Sequence, residues 1–503
     1  MPLTSDKFDI GFLDVNQLAS TFTKFNSFQN KNAHQQERTV IALRALELMD
    51  TYQAIHPCGH DMISHLKYFG VKSKYSAVWA REVERQSEEV LTVGKDKSSN
   101  IHKESVDSMN PEECHELFDF IKKCVIILLI ERKYSEAHYF LNSYATVVQF
   151  STQPKSADEL KNNRYVEYLF LQYSANVFQT IWFPVDEQTG NSSLDKVISS
   201  SSFKPLETIY KKISTYYSKN EAVFSTRQNE GNYDELHYYW MIKMLYMAML
   251  FKQFKFIEFY DEFYSLFLNY ESKIQVSGLN PLQFLIKGDS ILKSNLLLMF
   301  GIVSIFLKPA CSLSFMNDDI IIDLFNENES SLEFLFYNQV LIPLSRRDLF
   351  TVQTTLHDQL FLDRLYAYLE NSLPTGAASK YSPTHTFIEY MWKIIDFKNF
   401  LVIMSVTKQI TRTRVIELLG YDLADSEVVN QVSNNLIVLI SALGLGNGGI
   451  QYLASSELFI HTSPNKTAES VELQEDIEEL NNEVKGMTLS SMMTSILIEK
   501  FFS

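Results

Sequence analysis

Two stretches of this sequence hold residues whose types and spacing could do chemistry. The first, HPCGHDMISH from His56 to His65, offers imidazoles, a thiol and a carboxylate close together. Two histidines four apart on one helix face present adjacent nitrogens to a zinc ion. His56 and His60 have that spacing, with Cys58 between them. Pro57 and Gly59 argue against a regular helix there, however, and no second Cys/His cluster completes a ligand set: Cys114-His115 and Cys124 stand apart. His56, Cys58 and His60 are therefore weak metal candidates in what reads as a surface or half-buried loop.

The second stretch is Gly444-Leu445-Gly446-Asn447-Gly448-Gly449. A phosphate-cradling Walker loop needs Lys and Ser/Thr directly after its last glycine, to reach phosphate and magnesium. Here Ile450-Gln451-Tyr452 follow. A dinucleotide fingerprint runs from strand into helix, whereas this run has helical patterning before it and strand patterning after. Asn447-Gly448 and Gly448-Gly449 suit the positive-φ positions of a hairpin, so the glycines read as the turn of a β wing. The sequence also lacks H-E-x-x-H, G-x-S-x-G and G-x-x-x-x-G-K-[ST], and no two histidines stand two apart. The expectation is a protein that is not an enzyme and uses no cofactor.

The rest of the sequence must then be read as architecture. The chain has 503 residues, more than one typical core, with only 16 glycines and 12 prolines, which favours long helices. A net charge of −16 argues against DNA or an anionic membrane as main partner. Four scattered cysteines suit a reducing compartment, and the N-terminus has no secretory pattern. The longest apolar run, Leu296 to Leu307, falls short of the ~20 residues of a membrane span and reads as a buried helix. A cytoplasmic and nuclear location is expected.

Three polar stretches, near residues 82–113, 151–163 and 185–202, read as loop insertions. Between them the pattern is of helical hairpins. Cys124–Val148 gives an apolar helix, a turn around Arg132-Lys133, and a second helix with Ala137, Phe140, Leu141 and Tyr144 inward. Met241–Leu268 repeats the layout with its turn near Lys252-Gln253, which aligns Phe254 and Ile257 with Tyr134 and Ala137. This is the grammar of stacked αα-hairpins, a TPR-like solenoid; a compact irregular helical domain is the alternative. Leu349 onward adds one or two helices, and Ser382-Pro383 starts another with a good cap and first-turn proline.

From there the chain reads as a winged helix. Asn399–Val406 is a buried helix, and Ile410 enters a short helix Thr411–Leu419 ending at Gly420. A helix Glu427–Leu443 places Val428, Val432, Leu436, Leu439 and Ile440 on one stripe. A β wing follows, with Ile450 and Tyr452, then Leu458 and Ile460, in strand alternation. Winged helices that bind DNA do so through cations on the third helix and wing, yet no Lys or Arg occurs between Val415 and Asn465. Arg346-Arg347 and Arg412/Arg414 read as solvated helix ends. Ile450 and Tyr452 instead suggest a wing edge that pairs with protein by strand addition. After a polar linker, Leu473, Ile477, Leu480, Val484 and Met487 form a short heptad stripe, suited to bundling with other chains or to folding back.

Three segments carry a resemblance to a known family. LSRRDLFTVQTTLHDQLFLDRLYAYLE (Leu344–Glu370) resembles a last hairpin before a winged helix, ITRTRVIELLG (Ile410–Gly420) a segment whose Ile enters a helix ending in Leu-Leu, and SEVVNQVSNNLIVLISALGLGNGGIQYL a third helix and wing. Together they are similar to the PCI-domain proteins, scaffold subunits of the signalosome, the proteasome lid and an initiation-factor complex. The glycine-rich wing departs from the short charged strand common in that family, which suits a divergent member.

The resemblance implies a mainly α fold: a helical-repeat arm over residues 1–340, a PCI module over 341–463 with its winged helix from about 382, and a linker and bundle helix over 464–503. It implies a non-catalytic scaffold that supports removal of a ubiquitin-like modifier from cullins (deneddylation). Its partners would be other PCI subunits, a zinc isopeptidase and cullin substrates. A proteasome-lid subunit is the nearest alternative. An RNA-handling subunit of messenger export is a further one, disfavoured by the missing cations.

Overall fold

The computed structural model describes residues 10–28, 32–99, 111–147, 164–182, 203–222, 234–268, 290–307, 319–346, 348–369, 371–372, 383–442 and 449–461. It is mainly helical. The described helices begin with α1 (Gly11–Ser27), α2 (Gln35–Tyr52), α3 (Gly59–Tyr68), α4 (Ala77–Ser99), α5 (Pro111–Ile130), α6 (Tyr134–Val147) and α7 (Tyr165–Val177). They continue with α8 (Lys204–Lys219), α9 (Asp234–Lys252), α10 (Phe256–Phe263), α11 (Ile291–Leu307), α12 (Asp319–Phe325), α13 (Leu332–Phe336) and α14 (Ile342–Arg346). The last are α15 (Leu349–His357), α16 (Gln359–Leu369) and α17 (Pro383–Val406), then strand β1 (Gln409–Thr411), α18 (Arg412–Leu418), α19 (Ser426–Ala442), β2 (Ile450–Leu453) and β3 (Leu458–His461). Among the described residues no helix is long and apolar enough to cross a membrane. The apolar run at Leu296–Leu307 lies in α11, which is buried from Ile291 to Phe306.

Two compact units divide the chain. The first comprises Met1–Gln253, Asp261–Leu296 and Asp363–Leu373; the second comprises Phe254–Tyr260, Leu297–Leu362 and Pro374–Ser503.

In the first unit each helix packs on its chain neighbours, α1 on α2, α2 on α3, and so on through α6 on α7 and α7 on α8 and α9, consistent with a helical solenoid. The hairpin α5–α6 follows the sequence pattern: Ala137, Phe140, Leu141 and Tyr144 are all buried. Its turn is closed by the amide of Arg132 on Leu129 O and that of Lys133 on Leu128 O, with Arg132 in the left-handed region at φ 61°. The turn after α9 has its left-handed residue at Phe254, φ 59°. That equivalence shifts the sequence alignment by two: Phe256 corresponds to Tyr134 and the fully buried Phe259 to Ala137, while Ile257 is 43% exposed. Phe254 itself matches Arg132. The aromatic at the turn misled the alignment because it precedes, rather than starts, the inward stripe.

The polar stretch near residues 82–113 is also corrected. Residues 82–99 belong to α4 and 111–113 open α5. The buried face of α4 runs Ala80, Val83, Ser87, Leu91, Gly94 and Ser98, so its helical period is written largely in small residues that a hydrophobicity pattern does not register. A Cβ on Gly94 would lie 2.8 Å from Cys124 Sγ and 3.1 Å from the Phe140 ring. Gly94→Leu is therefore expected to destabilise the first unit by about 1–3 kcal/mol, read from denaturant unfolding, despite leucine's better helix propensity. The stretches 151–163 and 185–202 lie outside the described residues.

A buried carboxylate ties three helices of this unit. Glu167 on α7 accepts from Lys122 Nζ at 2.6 Å, from Tyr238 OH at 2.8 Å and from Arg164 Nε at 2.8 Å. Burial opposes its ionisation, but Lys122 and Arg164 outweigh that and hold the carboxyl below its ordinary range.

In the second unit, the most apolar helix ends on a cation. Lys398 on α17 is buried and donates to the carbonyls of Ile305 and Phe306, the latter at 3.1 Å, capping α11 where its last carbonyls lack partners. The C-terminal part of the unit closes on its own core of Phe397, Phe400, Met404, Val415, Leu436 and Phe459, among others. Its three strands form one antiparallel sheet in the order β1-β3-β2.

Candidate functional site

The C-terminal module is built from α17, β1, α18, α19, β2 and β3. Thr411 ends β1 and caps α18, its hydroxyl accepting from the amide of Arg414 at 3.3 Å. Arg412 then ties the parts together. Its Nε donates to Ser433 Oγ at 2.9 Å, its guanidinium also reaches Asn430 Oδ1, and its amide donates to Glu457 O at 2.8 Å. Helix α19 buries Val429, Val432, Ser433, Leu436 and Ile440, with Val428 and Leu439 packed at the margin. Arg414 pairs with Glu417 at 2.6 Å on the exposed side.

Four details differ from the sequence reading. Asn399–Val406 is the end of the continuous helix α17 and not a separate buried helix, with Val406 79% exposed. Gln409–Thr411 is a strand, paired with β3 through Gln409↔Ile460, Ile410↔Phe459 and Thr411↔Leu458. The hairpin β2–β3 turns through Ala454–Glu457, with Glu457 left-handed at φ 49°, and not through the glycines. Gly449, at φ 95°, enters β2 from the α19 side; Gly444–Gly448 lie outside the described residues. Finally, the inward residue of β3 is Phe459, fully buried, rather than Leu458 and Ile460.

The residues expected to meet partners are placed as follows. Ile450 points into the module's core, and Tyr452 is half-buried with its ring 4.8 Å from that of Phe459. What β2 turns outward is Gln451 and Leu453, the latter 41% exposed, together with the backbone of an edge strand. The other edge, β1, is only three residues long and is preceded by the exposed Lys408, a residue type that discourages strand pairing. Among the described residues no lysine or proline guards β2. The outward face of α19 carries Glu427, Asn430, Gln431, Asn434 and Val438, the last 62% exposed. That face has amides, a carboxylate and a valine, and the cation that reaches it, Arg412, is already held by Asn430 and Ser433. Leu473, Ile477, Leu480, Val484 and Met487 lie outside the described residues, as do Ser382 and Arg347.

The structure does not bring the metal candidates together. His56 is buried in the turn before α3, its Nδ1 accepting from the Cys58 amide at 3.1 Å; burial and nearby Arg132 push its pKa down to about 3. Cys58 Sγ lies 3.5 Å from Thr23 Oγ1. Helix α3 starts at Gly59, earlier than the glycine suggested, and carries His60 outward to Glu84 at 2.9 Å. His65 is buried against Phe22, within reach of Arg38 and Thr39. Among the described residues no group of three or more His, Cys, Asp or Glu could hold a metal ion.

One polar cluster escaped the sequence reading. Asp396 on α17 is buried and accepts from Gln353 Nε2 on α15 at 2.9 Å and from Tyr421 OH at 2.6 Å. His357 stacks on Trp392 and meets Tyr421 edge-on. Burial raises the Asp396 carboxyl to about 7 against the two hydrogen bonds that lower it. The cluster joins α15 to the loop after α18, and the mutual hydrogen bonds and ring contacts of its members fit a structural lock. Searches against protein-family models and curated protein sequences give no match to this chain.

Proposed function

We propose that this chain is a non-catalytic scaffold subunit of a signalosome-like assembly, joined to its neighbours by a C-terminal winged helix of the PCI type. The order helix, strand, helix, helix, hairpin, with the sheet running β1-β3-β2, supports the winged-helix reading. A mainly helical, hairpin-built chain ahead of it supports the scaffold reading. The observation that carries the proposal is the unguarded β2 edge. A neighbouring chain adds a strand there, satisfying the outward backbone groups, while Leu453 gives it an apolar contact beside Gln451. The amide-rich face of α19 favours protein over nucleic acid. In this reading Leu473, Ile477, Leu480, Val484 and Met487 join a shared helical bundle, and the assembly includes other PCI subunits, a zinc isopeptidase and cullin substrates.

Native purification through an N-terminal tag, with mass spectrometry of the co-eluting proteins, tests this. Several PCI subunits with an isopeptidase would support it; proteasome-lid subunits would move the chain to that machine, and elution alone would sink it. Leu453→Lys places a gatekeeper charge on the edge strand without touching the core. It is expected to cut co-purified neighbours at least ~tenfold with an unchanged melting curve, about the effect of losing one interface hot spot.

A further inference from the structure

A second surface, in the first unit, has a chemistry that scaffold assembly through the sheet edge does not use. Helix α8 turns one face to solvent, and along it stand Lys204, Thr208, Lys211, Lys212, Thr215 and Lys219. The spacing keeps them on one side of the helix. Among the described residues none of these four ammonium groups has a carboxylate partner, and the one acid of α8, Glu207, is half-buried at the margin of the face. In a chain of net charge −16, four unpaired lysines in a row stand against the composition.

The face borders two adjoining hollows that share Thr208. One, of about 490 Å³, is bounded by Tyr165, Lys211, Lys212, Thr215 and Tyr216. The other, of about 640 Å³, is lined by Lys204 of α8, His138 and Asn142 of α6, Gln172 and Asn176 of α7, and Gln179 just beyond it. Neither lining contains a carboxylate. The carboxamides of Asn142 and Gln172 have no side-chain partner among the described residues, whereas Asn176 Nδ2 donates to Gln172 O at 2.8 Å. His138 is held at Gln179 by a 3.1 Å hydrogen bond, and burial lowers its pKa, so it adds no charge at neutral pH.

We propose that this surface is a docking groove for an extended acidic peptide segment of a partner protein. The lysines, compact cations on flexible stems, take up carboxylates of loosely defined spacing. The carboxamides each offer a donor and an acceptor, which matches the alternating C=O and N–H of a peptide backbone. A phosphodiester backbone only accepts, so half of that capacity would be wasted on a nucleic acid. The aromatic residues present are also already engaged: Tyr216 is buried, and Tyr165 meets it edge-on at 5.1 Å while stacking with Tyr168. Both tyrosine rings of the lining are thus engaged with other rings, which makes them poor platforms for a base. From Lys204 to Lys219 the face is ~22 Å long at the helical rise, the length of about seven extended residues.

The test is fluorescence anisotropy on the full chain with a labelled twelve-residue peptide of alternating Glu and Ser. Saturable, salt-sensitive binding is expected. Lys211→Glu with Lys212→Glu should weaken it at least ~tenfold, since two attractions become repulsions. Asn142→Ala with Gln172→Ala should weaken it about threefold without changing the salt dependence, because hydrogen bonds and not charges are lost. Lys67→Glu with Lys72→Glu, at exposed lysines elsewhere in the unit, should leave it within about twofold. All the lysines substituted are exposed, and circular dichroism verifies that each variant folds. A Gln–Ser peptide and a twelve-nucleotide oligouridine should bind at least ~tenfold more weakly. The proposal is overturned if the Glu–Ser peptide does not saturate, if the charge reversal on α8 changes nothing, or if oligouridine binds as tightly. None of these residues belongs to the unit that holds β2, so either result leaves the sheet-edge reading to its own test.

Discussion

Phe459→Ala is expected to cost the C-terminal module about 3–5 kcal/mol, the range for removing a fully buried aromatic and leaving a cavity. Phe459 lies on β3, the central strand, where β1 and β2 flank it on either side. Its ring is fully buried, 5.0 Å from that of Phe400 and 4.8 Å from that of Tyr452, so three elements lose contacts at once. Leu458→Ala, one residue earlier on the partly exposed face, should cost about 1 kcal/mol or less. Hydrogen exchange reads both. Opening of α19 should quicken at least ~hundredfold in the first variant and less than ~tenfold in the second, since each 1.4 kcal/mol is a factor of ten. The reverse ranking would mean that the strand faces the other way.

Asp396→Asn is expected to stabilise the second unit above neutral pH by about 2–4 kcal/mol and to flatten its pH dependence. The sign follows from the raised pKa. Burial holds the carboxyl at about 7 in the fold, against an ordinary 3.8. The protonated form is therefore the one the fold prefers, and stability from this group is full below about 4 and lost as pH rises through 7. At ~1.4 kcal/mol per pH unit between those values, the cost above neutrality reaches about 4 kcal/mol. Asparagine cannot ionise, yet its oxygen still accepts from Gln353 and its amide can donate to the Tyr421 hydroxyl. Urea unfolding of both proteins at pH 5 and pH 8 measures the effect. Equal stabilities of the two at both pH values would show that the carboxyl titrates normally.

Where the sequence spoke clearly, one physical signal dominated its neighbourhood. The hairpin α5–α6 was legible because a charged Glu131-Arg132-Lys133 turn interrupts strongly apolar helices. Helix α4 was not, because Ala80, Ser87, Gly94 and Ser98 do the packing and contribute little hydrophobicity. Strand β1 is fixed by its pairing with β3: Ile410 and Thr411 are β-branched and tolerate an extended backbone, but three residues with one apolar member carry no pattern that marks a strand. The phase of β3 comes out reversed from the sequence, with Leu458 and Ile460 inward, because Leu458-Phe459-Ile460 is a continuous apolar run; only the position of the core picks Phe459.

The site was legible to a similar degree. An edge-forming hairpin free of cations could be read from the residues between Val415 and Asn465, but which of its side chains turn outward depended on that phase. The Asp396 cluster joins residues far apart in sequence, each unremarkable alone, and nothing local marks them. The lysine spacing on α8 is visible in the sequence; the facing carboxamides of α6 and α7 are a product of packing.

The claim at the centre is that the chain assembles through the open edge of β2. Its most direct measurement is quantitative mass spectrometry of native complexes, purified through an N-terminal tag from cells expressing either the unaltered chain or Leu453→Lys at equal levels. The account predicts that the unaltered chain brings down a stoichiometric set of neighbours and that the variant, equally folded, brings down at least ~tenfold less of one adjoining subunit. Undiminished recovery of every neighbour by a folded variant would contradict it, and would place assembly somewhere other than this edge.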